Sequence, residues 1–343
     1  MPELMIGTSA LHSADPALIR EAGIGWVRED APFPFKDRVG GELTGAYLKT
    51  RDTYSSWARA GVKVMGVTPL PGIGTRKADA SGLMGLVWTD FFPAWMGKPG
   101  SAEYYATYEA VCAFLASDLK GKVQAWQICN ELDIGQFAGP LDPRQACDLV
   151  LAGARGLKGA DPSLVVGHNP AGADKAYFFF GRLFGRTDRL VDYCGIDGYY
   201  GSWARGGPDE WGRRIAELHG LTGAPILVNE WGFPSRGGVM DDAERTGGLP
   251  ACQLGKWPHT WGRGHTPEGQ AEFVTAALAS MGTRRDDLLG AFFYRWEDQE
   301  NCWQCGAAEC PCETAWGLVD LAGRPKPSWQ AFKDGVARLV RGG

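Results

Sequence analysis

Short apolar-rich runs alternate with longer amphipathic stretches from one end of the chain to the other. The runs are LMIGT (4–8), WVRED (26–30), VKVMGV (62–67), VQAWQI (123–128), LVVGH (164–168), YCGID (193–197), PILVNE (225–230) and GAFFYR (290–295). Their length suits buried strands. The amphipathic stretches lie at 15–23, 43–60, 101–119, 142–159, 173–184, 208–221, 267–281 and 327–340. Strict alternation of this kind predicts a parallel sheet wrapped by helices, and eight of each predicts a closed (β/α)8 TIM barrel, an α/β fold spanning 1–343 as one domain.

The punctuation agrees. Asp15-Pro16, Asp142-Pro143 and Thr266-Pro267 each put a capping side chain before a proline at the first helical position. Gln145 follows Asp142 at the spacing of a capping box. Gly61, Gly121 and Gly223 sit where helices must stop before the next strand. An open doubly wound sheet would alternate in the same way, but it usually carries a glycine-rich phosphate loop after its first strand, and IGTSALHS is not one.

Connections into strands are short, whereas those after strands 3, 7 and 8 are long, at about 69–100, 231–266 and 295–325. In a barrel the loops after strands build the functional face. These three hold Trp88, Phe91, Phe92, Trp95, Trp257, Trp261, Trp303 and Trp316. Aromatic faces around a polar cleft suit sugar rings, although each of these residues could equally pin its loop to the barrel.

Composition narrows the partners. A net charge of −5 over 343 residues argues against nucleic acid. No apolar run approaches the roughly 18–20 residues of a membrane span. The start MPELMIGTSA has no basic residues ahead of a long apolar stretch, so a cytoplasmic location is expected over a secreted one, a previously removed signal peptide being the alternative. Nothing in the sequence implies a protein partner.

Two acids close apolar strands: Asn130-Glu131 ends strand four and Asn229-Glu230 ends strand seven. Cleaving a glycosidic bond needs one carboxyl to protonate the departing oxygen and a second group on the far side of the ring. A buried Glu can keep its proton at neutral pH. A lone Glu at a strand end would more often be an ion pair or a cap. Two of them, each behind an Asn, point to chemistry.

At these residues the chain resembles clan A of the glycoside hydrolases, retaining β-glycosidases built on a TIM barrel. Features similar to both its β-xylosidases and its cellulases and mannanases are present. The resemblance makes Glu131 the acid/base and Glu230 the nucleophile of a double displacement on β-linked, plant-type glycans or oligosaccharides. It places Asn130 on the sugar 2-hydroxyl, Arg28 and Tyr199 beside Glu230, and Trp296 under the sugar. Arg28 could instead tie two strands together, and Tyr199 and Trp296 could be packing. Many clan members carry His-x-Tyr after strand six, whereas this chain has Asp197-Gly198-Tyr199. Asp197 then either binds a substrate hydroxyl or rearranges the surroundings of the nucleophile. His12, just after strand one, is a candidate sugar contact or a surface residue. A barrel that binds carbohydrate without cleaving it, and a transglycosylase, are the alternative functions. Catalysis itself needs no cofactor.

The cysteines divide into two groups. Cys112, Cys129, Cys147 and Cys194 fall singly in strands and helices, as buried thiols do. Cys302, Cys305, Cys310 and Cys312 crowd one loop, with Cys252 as a possible fifth donor from the loop after strand seven. A Cys-x2-Cys step with further thiolates suits a structural zinc, and disulfides are the rival pairing.

Overall fold

The computed structural model describes residues 3–10, 14–78, 80, 84–90, 93–172, 176–248 and 250–342. Eight parallel strands close a barrel: β1 (Met5–Ser9), β2 (Trp26–Asp30), β3 (Lys63–Val67), β4 (Ala125–Gln127), β5 (Val165–His168), β6 (Tyr193–Gly198), β7 (Ile226–Trp231) and β8 (Leu288–Phe293). Each pairs with its neighbours in sequence, and β1 pairs with β8 to close the ring. The sheet therefore has no open edge.

The helices α1 (Pro16–Glu21), α2 (Gly45–Arg59), α3 (Ala102–Asp118), α4 (Pro143–Ala160), α5 (Ala176–Phe184), α6 (Glu210–Thr222), α7 (Pro267–Gly282) and α8 (Pro327–Arg341) follow the strands in turn. Their ends are set by local chemistry. The Asp15 carboxylate accepts from the Ala17 N–H, Thr266 caps Gly269, and Asp142 with Gln145 forms the expected capping box. Gly61 and Gly121 take φ values of 73° and 78°, where a side chain would be strained.

Inside the barrel, Met5, Trp26, Met65, Tyr193, Leu227 and Phe292 form a packed floor. The floor needs room that only glycine leaves. A Cβ on Gly7 would stand 2.2 Å from the Phe292 ring, and one on Gly167 would stand 2.5 Å from Tyr193. Plugged by this layer, the barrel offers chemistry only at the C-terminal ends of its strands.

The long connections carry structure of their own. After β3 the chain forms an antiparallel hairpin, Gly72–Ala78 with Met84–Asp90, where a loop was expected. Its glycines break up the alternation that would have marked it. After β7, two-residue strands at Gly238–Val239 and Lys256–Trp257 pair, with short helices at Asp242–Thr246 and Ala251–Leu254 between them. After β8 there is one helical turn, Pro311–Thr314. Among the described residues no helix is long and apolar enough to cross a membrane.

Candidate active site

Glu131 and Glu230 line one cavity of about 1370 Å³ over the C-terminal ends of the strands. Around them a polar network rises from the barrel floor. Arg28, at the middle of β2, reaches across the barrel to Glu230 at 2.8 Å. Its other nitrogens donate to Gln127 Oε1 at 2.8 Å and Asn130 Oδ1 at 2.6 Å. Burial alone would lower the Arg28 guanidinium; Glu230, Asp30 and Asp197 outweigh it and hold it above its ordinary range. The other oxygen of Glu230 accepts from the Tyr199 hydroxyl. Both Glu230 oxygens are thus fixed from the side of the barrel wall.

Glu131 sits differently. Backbone φ is 55° at Cys129 and 45° at Glu131, a left-handed conformation that non-glycine residues seldom take, so the turn after β4 is strained where the acid is presented. The Glu131 N–H donates to Asn169 O and the Cys129 N–H to Thr68 Oγ1, which tie the turn to β5 and β3. Burial, and then the charge of Glu230, push the Glu131 carboxyl well above the usual carboxylate range.

Asp197 lies in the same network. It is buried and accepts from Asn169 Nδ2 at 2.6 Å. Burial, and then the charges of Glu230 and Glu131, raise it too. Its Oδ1 finds no donor among the described residues.

The remaining site expectations divide. Asn130 joins the network, accepting from Arg28, Gln127 and Asn169 and donating to Glu131 at 3.4 Å. Trp296 does not line the cavity. Its N–H donates to Ser9 O and its carbonyl accepts from Leu318 and Val319, which draw it back over the rim into the core, 2% exposed. Tyr294 and Arg295 take that wall instead. His12, Phe91 and Phe92, and the side chain of Trp88, lie outside the described residues. Of the other loop aromatics, Trp303 and Trp316 line the cavity, while Trp95, Trp257 and Trp261 pack against loops and core. Four cavity or network residues were missed. Gln127 and Asn169 bridge β2, β4, β5 and β6; Tyr294 and Glu313 form the far wall, with the Tyr294 hydroxyl donating to Glu313 at 3.0 Å. Asn169 had a signal, because it follows the fifth strand directly, as Asn130 follows the fourth.

No protein-family model matches the sequence, and a search of curated proteins finds no match. Comparison with solved structures does. A glucosidase from Croceicoccus marinus superposes at TM-score 0.62 with 17% identity, covering 99% of this chain and 68% of its own. The GH53 catalytic domain of Ignisphaera aggregans gives TM-score 0.63 with 19% identity over 99% of this chain and 97% of its own. The fold is that of the clan A glycoside hydrolases. A GH5_18 protein from Streptomyces cattleya in complex with GlcNAc gives TM-score 0.65 with 16% identity, covering 94% of this chain and 73% of the other. At such identities the likeness carries the clan A architecture, and the chemistry rests on the residues above.

Proposed function

We propose that this chain is a retaining β-glycosidase in which Glu230 is the nucleophile and Glu131 the acid/base. The observation that carries the reading is the asymmetry of the two carboxyls: one held by a guanidinium and a tyrosine hydroxyl, the other buried and pushed towards its protonated form. In the first step a Glu230 oxygen attacks the anomeric carbon, the glycosidic C–O bond breaks, and the departing oxygen takes the Glu131 proton. In the second, Glu131 takes a proton from water, the water oxygen attacks the same carbon, and the ester to Glu230 breaks. In this reading Asn130 meets the 2-hydroxyl, and Trp203, Trp303 and Trp316, which line the cavity, supply apolar faces for the sugar.

The lining also speaks to the sugar. Among the described residues, Glu29, Asp30, Glu131, Asp197, Glu230 and Glu313 share the lining with Arg28, Lys77 and Arg295 as its cationic groups. Arg28 is engaged by Glu230 and Arg295 stands 3.7 Å from Glu297. With Arg28 and Arg295 so engaged, the described lining leaves Lys77 as the cation open to a sugar carboxylate, so the substrate class is a neutral β-linked glycan or oligosaccharide, of the kind found in plant material. The test is a panel of aryl β-glycosides and polysaccharides, with proton NMR following the first product formed. Release of the β-anomer from a neutral β-glycoside supports the proposal; first release of the α-anomer contradicts it.

A further inference from the structure

The rim between the loops after β7 and β8 is built from sulfur and aromatic rings. Met240, Trp257, Cys302, Cys310, Cys312 and Trp316 form a small core of their own, separate from the barrel core. Within it the Sγ atoms of Cys252, Cys302, Cys305 and Cys310 all lie within 4.8 Å of one another. The Cys252 and Cys302 sulfurs are 3.8 Å apart, far beyond the ~2.05 Å of a disulfide bond, and the protein has no disulfide. A tetrahedron whose sulfurs stand ~2.3 Å from a central ion has edges of about 3.8 Å.

We propose that Cys252, Cys302, Cys305 and Cys310 hold a structural zinc ion that clips the loop after β7 to the loop after β8. The expected set within 302–312 changes by one member, Cys252 standing in for Cys312. Cys312 lies inside the helical turn Pro311–Thr314, with Cys310 just ahead of it. Cys312 touches Cys252 and Cys310 yet falls outside the mutually close four. Binding releases the thiol protons as the ion takes four thiolates. With four sulfurs no position is left open, so the ion orders the rim and does no chemistry. It fixes a particular wall: Gln304, between two ligands, donates to Glu313 at 2.5 Å, and Tyr294, which also donates to Glu313, meets Tyr199 edge-on. The ligand assignment rests on sulfur geometry alone and does not depend on the glycosidase reading.

The experiment is elemental analysis of the full chain purified without chelator, together with cobalt substitution. About one zinc per chain is expected, and cobalt should give the intense visible absorption of a tetrahedral thiolate site. Cys252→Ser and Cys302→Ser should lower metal content about tenfold or more, while Cys312→Ser and the distant Cys147→Ser should leave it unchanged. A reduced wild-type chain that neither carries zinc nor takes up added zinc or cobalt overturns the proposal, as do intact disulfides among these residues by mass spectrometry. Metal kept in Cys252→Ser but lost in Cys312→Ser overturns the ligand set. Should the ligand variants fail to fold, the cobalt spectrum and stoichiometry of the wild-type chain decide.

Discussion

At β5 the His168 ring is sealed from water, with Nδ1 2.8 Å from the Ile128 carbonyl oxygen and Phe179 against its face. The carbonyl can only accept, so Nδ1 carries the proton. Nε2 is buried with no partner among the described residues, and a second proton there would place an unpaired charge in the core. Burial accordingly lowers this imidazole from its ordinary 6.5 to about 4. Between those values the unfolded chain binds a proton that the folded chain refuses. Stability is therefore fully present above about pH 6.5 and is lost as pH falls towards about 4, by up to roughly 3 kcal/mol. His168→Asn keeps an amide donor near Ile128 and cannot titrate. Denaturant unfolding across this range should show the wild type losing stability that the variant keeps; parallel profiles would contradict the assignment.

Among the elements, α4 carries two glycines of opposite consequence. A Cβ on Gly156 would stand 2.1 Å from the Glu109 carbonyl oxygen of α3, whereas nothing lies within 4 Å of one on Gly159. Gly156→Ala should cost about 1–3 kcal/mol by forcing α3 and α4 apart. Gly159→Ala should stabilise by roughly 0.5–1 kcal/mol, because alanine has the better helix propensity. Urea unfolding of both variants checks this, and a stable Gly156→Ala would mean that the two helices are not locked so closely. What was legible in the sequence follows the same division between local and distant causes. Strand order, the Asp142 capping box and the placing of Glu131 and Glu230 at strand ends depend on neighbours a few residues away. The Arg28–Gln127–Asn229 cluster draws on three strands a hundred residues apart, and Gln127 reads in sequence only as a polar interruption of an apolar strand. The cavity-facing aromatic after β8 depends on where that strand ends: it stops at Phe293, so Tyr294 faces the cavity and Trp296 does not. Cys252 joins its partners across 50 residues, a pairing set by how two loops fold against each other.

Across the molecule, the plugged floor puts every candidate catalytic group at one end of the barrel, and the long connections after β7 and β8 wall that end. The division of roles proposed for the two Glu follows from this placement. Glu230 is fixed by β2 and by the residue after β6, while Glu131 is presented by a strained turn beside Asp197. Replacing Glu131 by glycine should leave the fold intact, since its φ of 45° suits glycine better than glutamate. The most direct measurement is therefore azide rescue of Glu230→Gly and Glu131→Gly on an aryl β-glycoside with a good leaving group, the products identified by NMR. Glu230→Gly should give the inverted α-glycosyl azide, azide standing in for the lost nucleophile, and Glu131→Gly should give the retained β-glycosyl azide, azide intercepting the glycosyl ester. The opposite pairing of products with variants would contradict the assignment of nucleophile and acid/base.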